Sequence, residues 1–254
     1  MSGPTARPGA TRSTGLATGM AVAGAAIALV LHLGAVVPAA AATFYVDNTN
    51  PGCSNSGPGT LAIPYCTITA AATQHPGAGN TIEVTAGTYR EQVSVPAGGV
   101  AGSPFVIRAS SPAVTVTGAD AFSSAAQWTL VAGDVWLASS VTWAPKQVFA
   151  DGLRLTPSTV TPATMPARTF QYVAGAGLYV HAGGGNPAGH GTQVGRRNYG
   201  FTLSGRPYVT IRGFTTRHME DKGFLVQSAS HQVEITDNRA TLSFKAGIQV
   251  IGSN

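Results

Sequence analysis

The fold is decided by the stretch RPYVTIRGFTTRHMEDKGFLVQSAS at residues 206–230, which is followed by HQVEITDNRATLSFKAGIQVIGSN at residues 231–254. The two stretches share a pattern when each position of the first is aligned with the position numbered 24 higher. The aligned pairs are Val209 with Val233, Ile211 with Ile235, Gly223 with Gly247, Phe224 with Ile248, and Val226 with Val250. Each copy reads V-x-I, then a polar stretch, then G-[FI]-x-V and a small polar turn. This alternation predicts two short β-strands in every repeat.

A partial third copy, GFTL at residues 200–203, precedes GFLV at residues 223–226 by nearly the same offset. Repeats of nearly equal length favour a solenoid, in which each repeat stacks on the next and buries one apolar stripe. A leucine-rich repeat has a similar period, but it needs Leu at fixed positions and Asn or Cys at the turn. A β-sandwich gives alternating strands but no offset that preserves register. We therefore predict an all-β fold, a right-handed parallel β-helix (a solenoid) with about 24 residues per coil.

Residues 1–42 are typical of a signal peptide. Arg7 and Arg12 precede an apolar run at residues 20–37, which ends in PAAAA at residues 38–42. Basic, apolar and small-residue regions in this order predict cleavage by a signal peptidase after Ala42, and therefore a secreted, extracellular protein. The alternative is a transmembrane anchor, which the length of the run allows but which His32 interrupts. No other segment approaches the length of a membrane span, so we expect no membrane partner after cleavage.

The composition narrows the class of protein further. The chain has 15 Lys and Arg against 10 Asp and Glu, a net charge of +5; loss of the two leader arginines leaves 13 against 10, or +3. This small imbalance favours an anionic partner only weakly, and without basic clusters or a known motif it gives no support to nucleic-acid binding. Abundant Gly, Pro, Val, Ile, Thr and Ser suit pleated strands and tight turns.

Two cysteines, Cys53 and Cys66, lie close together in the predicted secreted chain. The compartment is oxidising and the loop between them is rich in Gly and Pro, so a structural disulfide is expected. The alternative is half of a metal site, but no histidine lies at a matching spacing.

Four short motifs resemble the opening coils of secreted pectin-lyase-like proteins: FYVD at residues 44–47, GPGT at 57–60, CTI at 66–68 and GTYRE at 87–91. The resemblance covers residues 44–119 and 199–254. It implies that residues 43–119 form an N-terminal cap and the first coils, with a short capping helix at 67–74 and strands at 81–84, 92–95, 105–108 and 114–117. Residues 199–254 would form later coils. A cap is physically necessary because an open coil end exposes unpaired backbone.

Residues 120–198 break the period and are predicted to form a small inserted β-subdomain. This segment holds all three tryptophans, Trp128, Trp136 and Trp143, and strand-like pieces at 146–152 and 177–181. Insertions of this kind are found in carbohydrate-active members of the superfamily, which implies that the tryptophans bind a sugar by stacking. The alternative is that they form the core of the insertion itself.

The resemblance to calcium-dependent polysaccharide lyases implies β-elimination, which needs a cation to neutralise the substrate carboxylate and a base to remove a proton. Glu220, Asp221 and Asp237 are the candidate ligands for Ca²⁺, and Lys222 and Lys245 are the candidate bases. Because coils stack about 4.8 Å apart, Asp221 and Lys245 should lie one above the other. The alternative is a solvated turn with an ion pair between coils. The chain reads DKG where such a site carries DDG, which does not favour calcium.

Three functions therefore remain open. The first is a polysaccharide lyase that acts on an acidic polysaccharide. The second is a glycoside hydrolase on the same fold, which would need two carboxylates about 5 to 9.5 Å apart. The third is a non-catalytic protein for polysaccharide binding or adhesion. Because the sequence stops at the close of a coil without a cap, we expect an N-terminal fragment of a longer, monomeric protein whose active site lies on later coils.

Overall fold

The structure, a computed structural model, describes residues 41–252 and Gly9. Apart from Gly9 and its last two positions, the predicted signal peptide lies outside the described residues. In the part of the chain that is described, no helix is both long and apolar enough to cross a membrane.

The described residues form short strands joined by tight turns, with little helix. The strands before the insert are β1 (Thr43–Val46), β2 (Thr81–Val84), β3 (Gly87–Tyr89), β4 (Val93–Ser94), β5 (Phe105–Ala109) and β6 (Val114–Thr117). Those of the insert are β7 (Ala119–Ala121), β8 (Thr129–Ala132), β9 (Val135–Ala138), β10 (Val148–Ala150), β11 (Leu153–Arg154), β12 (Thr156–Pro157), β13 (Thr169–Val173), β14 (Gly177–His181) and β15 (Gln193–Gly195). The remaining strands are β16 (Tyr199–Ser204), β17 (Val209–Arg212), β18 (Thr215–Arg217), β19 (Lys222–Gln227), β20 (Glu234–Thr236), β21 (Arg239–Thr241) and β22 (Ala246–Ile251). The helices are α1 (Ile68–Gln74) and three 3-10 turns, Ala125–Gln127, Pro162–Thr164 and Pro187–His190.

Three parallel sheets form what we call the body. Sheet A has the order β1-β2-β5-β17-β20, sheet B has the order β3-β6-β18-β21, and sheet C has the order β4-β16-β19-β22. Each strand pairs in parallel with the corresponding strand of the next repeat. The predicted all-β class with parallel sheets is confirmed.

The register of these sheets follows the sequence repeat. Ile211 pairs with Ile235 and Phe224 with Ile248, which are the same pairs that the repeat aligns, while Phe201 pairs with Phe224 at an offset one position shorter. The inward side chains therefore stack in columns, and the rings of Phe201 and Phe224 are parallel with centroids 5.4 Å apart. One continuous apolar core results, which is the main source of stability in such a stack.

The turn between sheets A and B is held by Asn238. Its side-chain Oδ1 accepts a hydrogen bond from Phe214 N at 2.9 Å, and its Nδ2 donates to Ile211 O at 2.7 Å. Both partners belong to the preceding repeat, so this amide joins one turn to the next.

The N-terminal cap is helix α1 with the loop before it. Thr67 is the N-cap residue and accepts from Ala70 N at 3.2 Å, as is usual for Thr before a first turn. The carboxylate of Glu91 accepts from the first two amides of the helix, Ile68 N at 2.9 Å and Thr69 N at 2.8 Å. The predicted disulfide between Cys53 and Cys66 is present, with a Cα–Cα distance of 5.1 Å.

The insert leaves the body after β6 of sheet B and returns at β16 of sheet C. Its strands form one antiparallel sheet, β7-β15-β10-β11, and a second sheet, β8-β9-β14-β13-β12, in which only β12 and β13 are parallel. A separate apolar core lies between them, and includes Phe122, Trp128, Val148, Phe170 and Val180.

Candidate functional site

The insert meets the body at the corner between sheets B and C. This corner consists of residues 218–221, which connect β18 to β19. One repeat earlier the same corner is where the chain enters and leaves the insert. Asp221 N and Lys222 N donate to Asn198 O at 3.0 and 2.9 Å, and Lys245 N donates to Asp221 O at 2.9 Å. Asp221 and Lys245 are therefore neighbours in successive repeats, as the sequence repeat implies.

All three lysines of the chain, Lys146, Lys222 and Lys245, meet at this corner. Lys222 Nζ lies 2.9 Å from Asp221 Oδ1, and Lys245 Nζ lies 3.6 Å from the same oxygen. Lys146 Nζ donates to Asn198 Oδ1 at 3.3 Å and to Glu220 O at 3.2 Å. Three cations thus surround the carboxylate of Asp221, and the corner carries a net positive charge.

The environment of Asp221 keeps it ionised. Burial raises the pKa of Asp221, but the hydrogen bond and charge of Lys222, with the charges of Lys245 and Lys146, outweigh burial and leave the pKa lowered. Tyr199 OH donates to the other carboxylate oxygen at 3.4 Å, and Lys222 Nζ lies 5.5 Å from the centre of the Tyr199 ring.

Glu220, in contrast, has a structural role. Its carboxylate is buried and accepts from the backbone amides of Lys146 and Gln147, at 2.5 and 3.2 Å. Burial raises the pKa of Glu220, and these two amides and the Lys146 charge oppose the rise. Gly195 makes room for this carboxylate, because a Cβ at that position would overlap Glu220 Oε1. Glu220 therefore fixes the insert to the body.

The predicted calcium ligands are not brought together. Asp237 lies in the turn between sheets A and B, whereas Glu220 and Asp221 lie at the other corner. Among residues 41–252, no group of three or more His, Cys, Asp or Glu side chains could hold a metal ion. The carboxylate of Asp221 forms ion pairs with lysines, and the carboxylate of Glu220 accepts hydrogen bonds from backbone amides. These residues therefore do not fit Ca²⁺. Calcium dependence remains a prediction from the sequence.

The tryptophans lie in or against the core of the insert. Trp128 is 5% exposed and donates from Nε1 to Phe122 O at 3.1 Å. Trp143 is half-buried, donates to Gly195 O at 2.7 Å, and lies under the Arg196 guanidinium at 4.6 Å. Trp136 is also half-buried against this core. These contacts favour the structural alternative, and a role of the tryptophans in sugar binding stays a prediction.

A second feature, which the sequence did not reveal, is a groove between sheet B and the insert. Its cavity has a volume of about 310 Å³, which lies at the lower end of the range for ligand pockets. The body contributes outward side chains of β3, β6 and β18 and of the segment after β3: Thr88, Arg90, Thr115, Thr117 and Arg217. The insert contributes Phe149, Gly152, Gly191 and Gln193. An adjoining cavity shares Thr115 and Arg217 and extends the groove to Arg239 and Thr241 on β21.

His218 forms the floor where the insert touches the body. It is 2% exposed, has a left-handed backbone with φ 58°, and stacks on Phe149 with centroids 4.0 Å apart. Arg217 Nη2 lies 3.2 Å from His218 Nε2; because Arg only donates, Nε2 accepts and Nδ1 carries the proton. Burial, reinforced by the charges of Arg217 and Arg154, lowers the pKa of His218 to about 3, so the ring is neutral.

The groove is positively charged. Arg90, Arg217 and Arg239 line it, and none of the described residues that line it is acidic. Threonine hydroxyl groups and the Gln193 amide supply the remaining polar surface. An arrangement of this kind can hold an anionic, hydroxyl-rich ligand but has no carboxylate pair for acid–base chemistry.

Sequence reasoning missed Lys146, Asn198 and Tyr199 at the corner, and the whole groove. The sequence did offer one signal, the scarcity of lysine. A chain with only three lysines rarely brings all of them together by chance. The alternation of VTVT at 114–117, with Thr215 and Arg217 at alternate positions one repeat later, indicated an outward polar face. No pattern placed the insert over that face.

Comparison with known proteins shows similarity at the level of structure. No protein-family model matches the chain, and no curated protein matches its sequence. A structure of XylC in complex with xylose is 19% identical, with a TM-score of 0.61 over 81% of this chain and 41% of that one. A glycoside hydrolase is 13% identical, with a TM-score of 0.54 over 70% of this chain and 51% of that one.

The chain therefore spans about half the length of these two structures, or less. A rhamnogalacturonan lyase is 14% identical over 82% of this chain, but its TM-score of 0.43 is too low for an argument. Identities this low carry no information on substrate or mechanism. What the comparisons establish is that this chain shares its fold with XylC and with the glycoside hydrolase.

Proposed function

We propose that the chain is a secreted, right-handed parallel β-helix protein of the pectin-lyase-like superfamily that acts on an acidic polysaccharide. The sequence repeat and the three parallel sheets support the β-helix. The disulfide and the leader-like sequence support secretion. The shared fold with XylC bound to xylose and with a glycoside hydrolase supports a role with carbohydrates.

The observation that carries the proposal is the meeting of all three lysines around Asp221. Such a cluster attracts a carboxylate of the substrate, because three ammonium groups outnumber the side-chain carboxylates of Glu220 and Asp221. Sheet C follows this corner along the chain, and Thr202 on β16 and Gln249 on β22, one on each side of Leu225 of β19, are half-buried polar residues that can bind sugar hydroxyls.

Lys222 and Lys245 have different roles in the proposed β-elimination. Lys222 is 12% exposed and held by Asp221, so it supplies a positive charge at a fixed position beside the uronate carboxylate. The Lys245 side chain is 60% exposed and has the freedom to reach the proton at C5. The base removes this proton, a C4–C5 double bond forms, and the C4–O bond breaks with the sugar oxygen as leaving group.

The test is an assay of polygalacturonate cleavage, followed by the ultraviolet absorbance of the unsaturated product. We expect the product to form, and Lys245→Met to lower the rate about a hundredfold or more, while Arg212→Met on sheet A leaves it unchanged. The assay with a chelator decides calcium dependence. Release of reducing ends without the absorbance would favour the glycoside hydrolase, and binding without either signal would favour a non-catalytic protein.

A further inference from the structure

The groove over sheet B is separate from the lysine corner. None of the three lysines lines it, and of the corner residues 218–221 it is His218 that reaches the groove, as part of its floor. It runs across four adjacent strands, β3, β6, β18 and β21, whose residues are in register: Thr88 pairs with Thr115, Thr115 with Thr215, and Thr215 with Arg239. Strands spaced about 4.8 Å apart give it a length of about 14 Å.

The cations of the groove lie at different levels along this length. Arg90 follows β3, and Arg217 lies on β18, two strands further. Two strand spacings place their backbones about 10 Å apart, and Arg239 lies on the next strand beyond Arg217. A linear ligand that carries several anionic groups matches this arrangement better than a single small anion.

The floor of the groove is buried, and two of its polar atoms lack partners. Arg217 Nε and His218 Nδ1 are buried and have no hydrogen-bond partner among the described residues. Phe149 of the insert is 1% exposed because it covers His218, so its aromatic face is not free for stacking on a base or a sugar ring. Recognition therefore depends on charge and hydroxyl groups.

We propose that this groove is a second binding site, which holds a carboxylate-bearing oligosaccharide between Arg90 and Arg217 while the polymer reaches the lysine corner separately. Guanidinium groups bind carboxylates through paired hydrogen bonds, and the threonines along the strands bind the sugar hydroxyls. This inference rests on the proposed function in one respect, the choice of an acidic saccharide as the class of ligand.

The experiment is calorimetric titration of the full chain with trigalacturonate and with xylotriose as the neutral control. We expect trigalacturonate alone to bind, and Arg217→Gln to weaken binding about tenfold or more, because a hydrogen bond to a charged group is lost. Arg212→Gln is the matched control, since Arg212 lies on sheet A of the same repeat and has the same charge. Equal affinities of the two variants, or equal binding of xylotriose, would overturn the proposal.

A second pair of variants tests the proposal if Arg217→Gln does not fold. Thr88 is exposed, so Thr88→Glu adds a carboxylate to the groove without disturbing the core; we expect it to abolish the Arg217-dependent binding. Thr236→Glu on sheet A makes the same charge change and should leave binding intact. A sulfated disaccharide that binds more tightly than trigalacturonate would contradict the assignment to carboxylates.

The experiments distinguish failure of the proposed function from failure of the groove proposal. If Lys245→Met loses turnover but retains trigalacturonate affinity, both sites are as proposed. If no turnover is found but binding still depends on Arg217, the groove stands and the catalytic corner does not. If turnover is found and binding is indifferent to Arg217 and Thr88, the groove proposal is wrong.

Discussion

The body and the insert bury their apolar side chains in different ways. In the body each inward side chain packs on its counterpart in the next repeat, as Phe201 does on Phe224. In the insert the core is made once, by side chains such as Phe170 and Val180 that face each other across antiparallel strands. The body therefore provides regular columns of outward polar residues, and the insert provides an irregular wall. Both candidate surfaces lie where the two regions meet.

The largest expected effect separates the two cores. Phe224→Ala removes a fully buried ring from the body and should lower the free energy of unfolding by about 3–5 kcal/mol. All three tryptophans lie in the insert, so tryptophan fluorescence follows the insert while far-ultraviolet circular dichroism follows the strands of the whole chain. We expect the dichroism midpoint in urea to fall more than the fluorescence midpoint. Equal shifts would show that the two regions unfold as one unit.

His218 gives the contact between the regions a dependence on pH. Its pKa is about 3 in the fold and about 6.5 when unfolded, so the unfolded state binds the proton first and stability falls as the pH drops from about 6.5 towards 3. At pH 4 the loss is about 3 kcal/mol. Asn tolerates the left-handed backbone at this position, and His218→Asn should flatten the dependence measured by urea unfolding. His231→Asn, at an exposed histidine, should leave the slope unchanged; identical slopes in both variants would contradict the account.

A smaller loss of stability is expected when Glu220, which attaches the insert to the body, is replaced. Glu220→Ala leaves the amides of Lys146 and Gln147 without their acceptor and should destabilise the protein by about 2 kcal/mol, with the tryptophan fluorescence transition affected most. Glu234→Ala, at an exposed position of sheet A, should cost less than about 0.5 kcal/mol. Similar losses for the two variants would mean that Glu220 does not hold the regions together.

The smallest expected effect on stability is at the lysine corner. Lys245 is mostly exposed and 3.6 Å from Asp221, so Lys245→Met should change the unfolding free energy by less than about 1 kcal/mol. A thermal unfolding midpoint within a few degrees of the original protein, with the rate of polygalacturonate cleavage strongly reduced, is the predicted combination. A large loss of stability would assign Lys245 a structural role.

The repeating part of the fold could be predicted from sequence because its period determines register. The offset that aligns Phe224 with Ile248 is the register of the sheet, and Thr67 marks the start of the capping helix through its side chain. The disulfide between Cys53 and Cys66 was predicted correctly because the two cysteines lie close together in a chain with a leader-like sequence, on either side of a loop rich in Gly and Pro. These features depend on neighbours in the chain or on the next repeat.

The candidate sites depended on contacts between distant residues and were predicted only in part. Asp221 and Lys245 could be placed together because they are one repeat apart. Lys146 could not, because it comes from the aperiodic insert and reaches the corner through the Glu220 carboxylate. Phe149 over His218 likewise joins segments that no periodicity relates, and therefore the groove was missed.

The most direct test of the account is equilibrium binding of polygalacturonate, with neutral xylan of similar length as the comparison, at low and high salt. Both candidate surfaces are cationic, so the account predicts that polygalacturonate binds, that xylan does not, and that added salt weakens the binding by screening. Equal binding of xylan, or an affinity that does not change with salt, would contradict the central claim that this protein recognises an acidic polysaccharide.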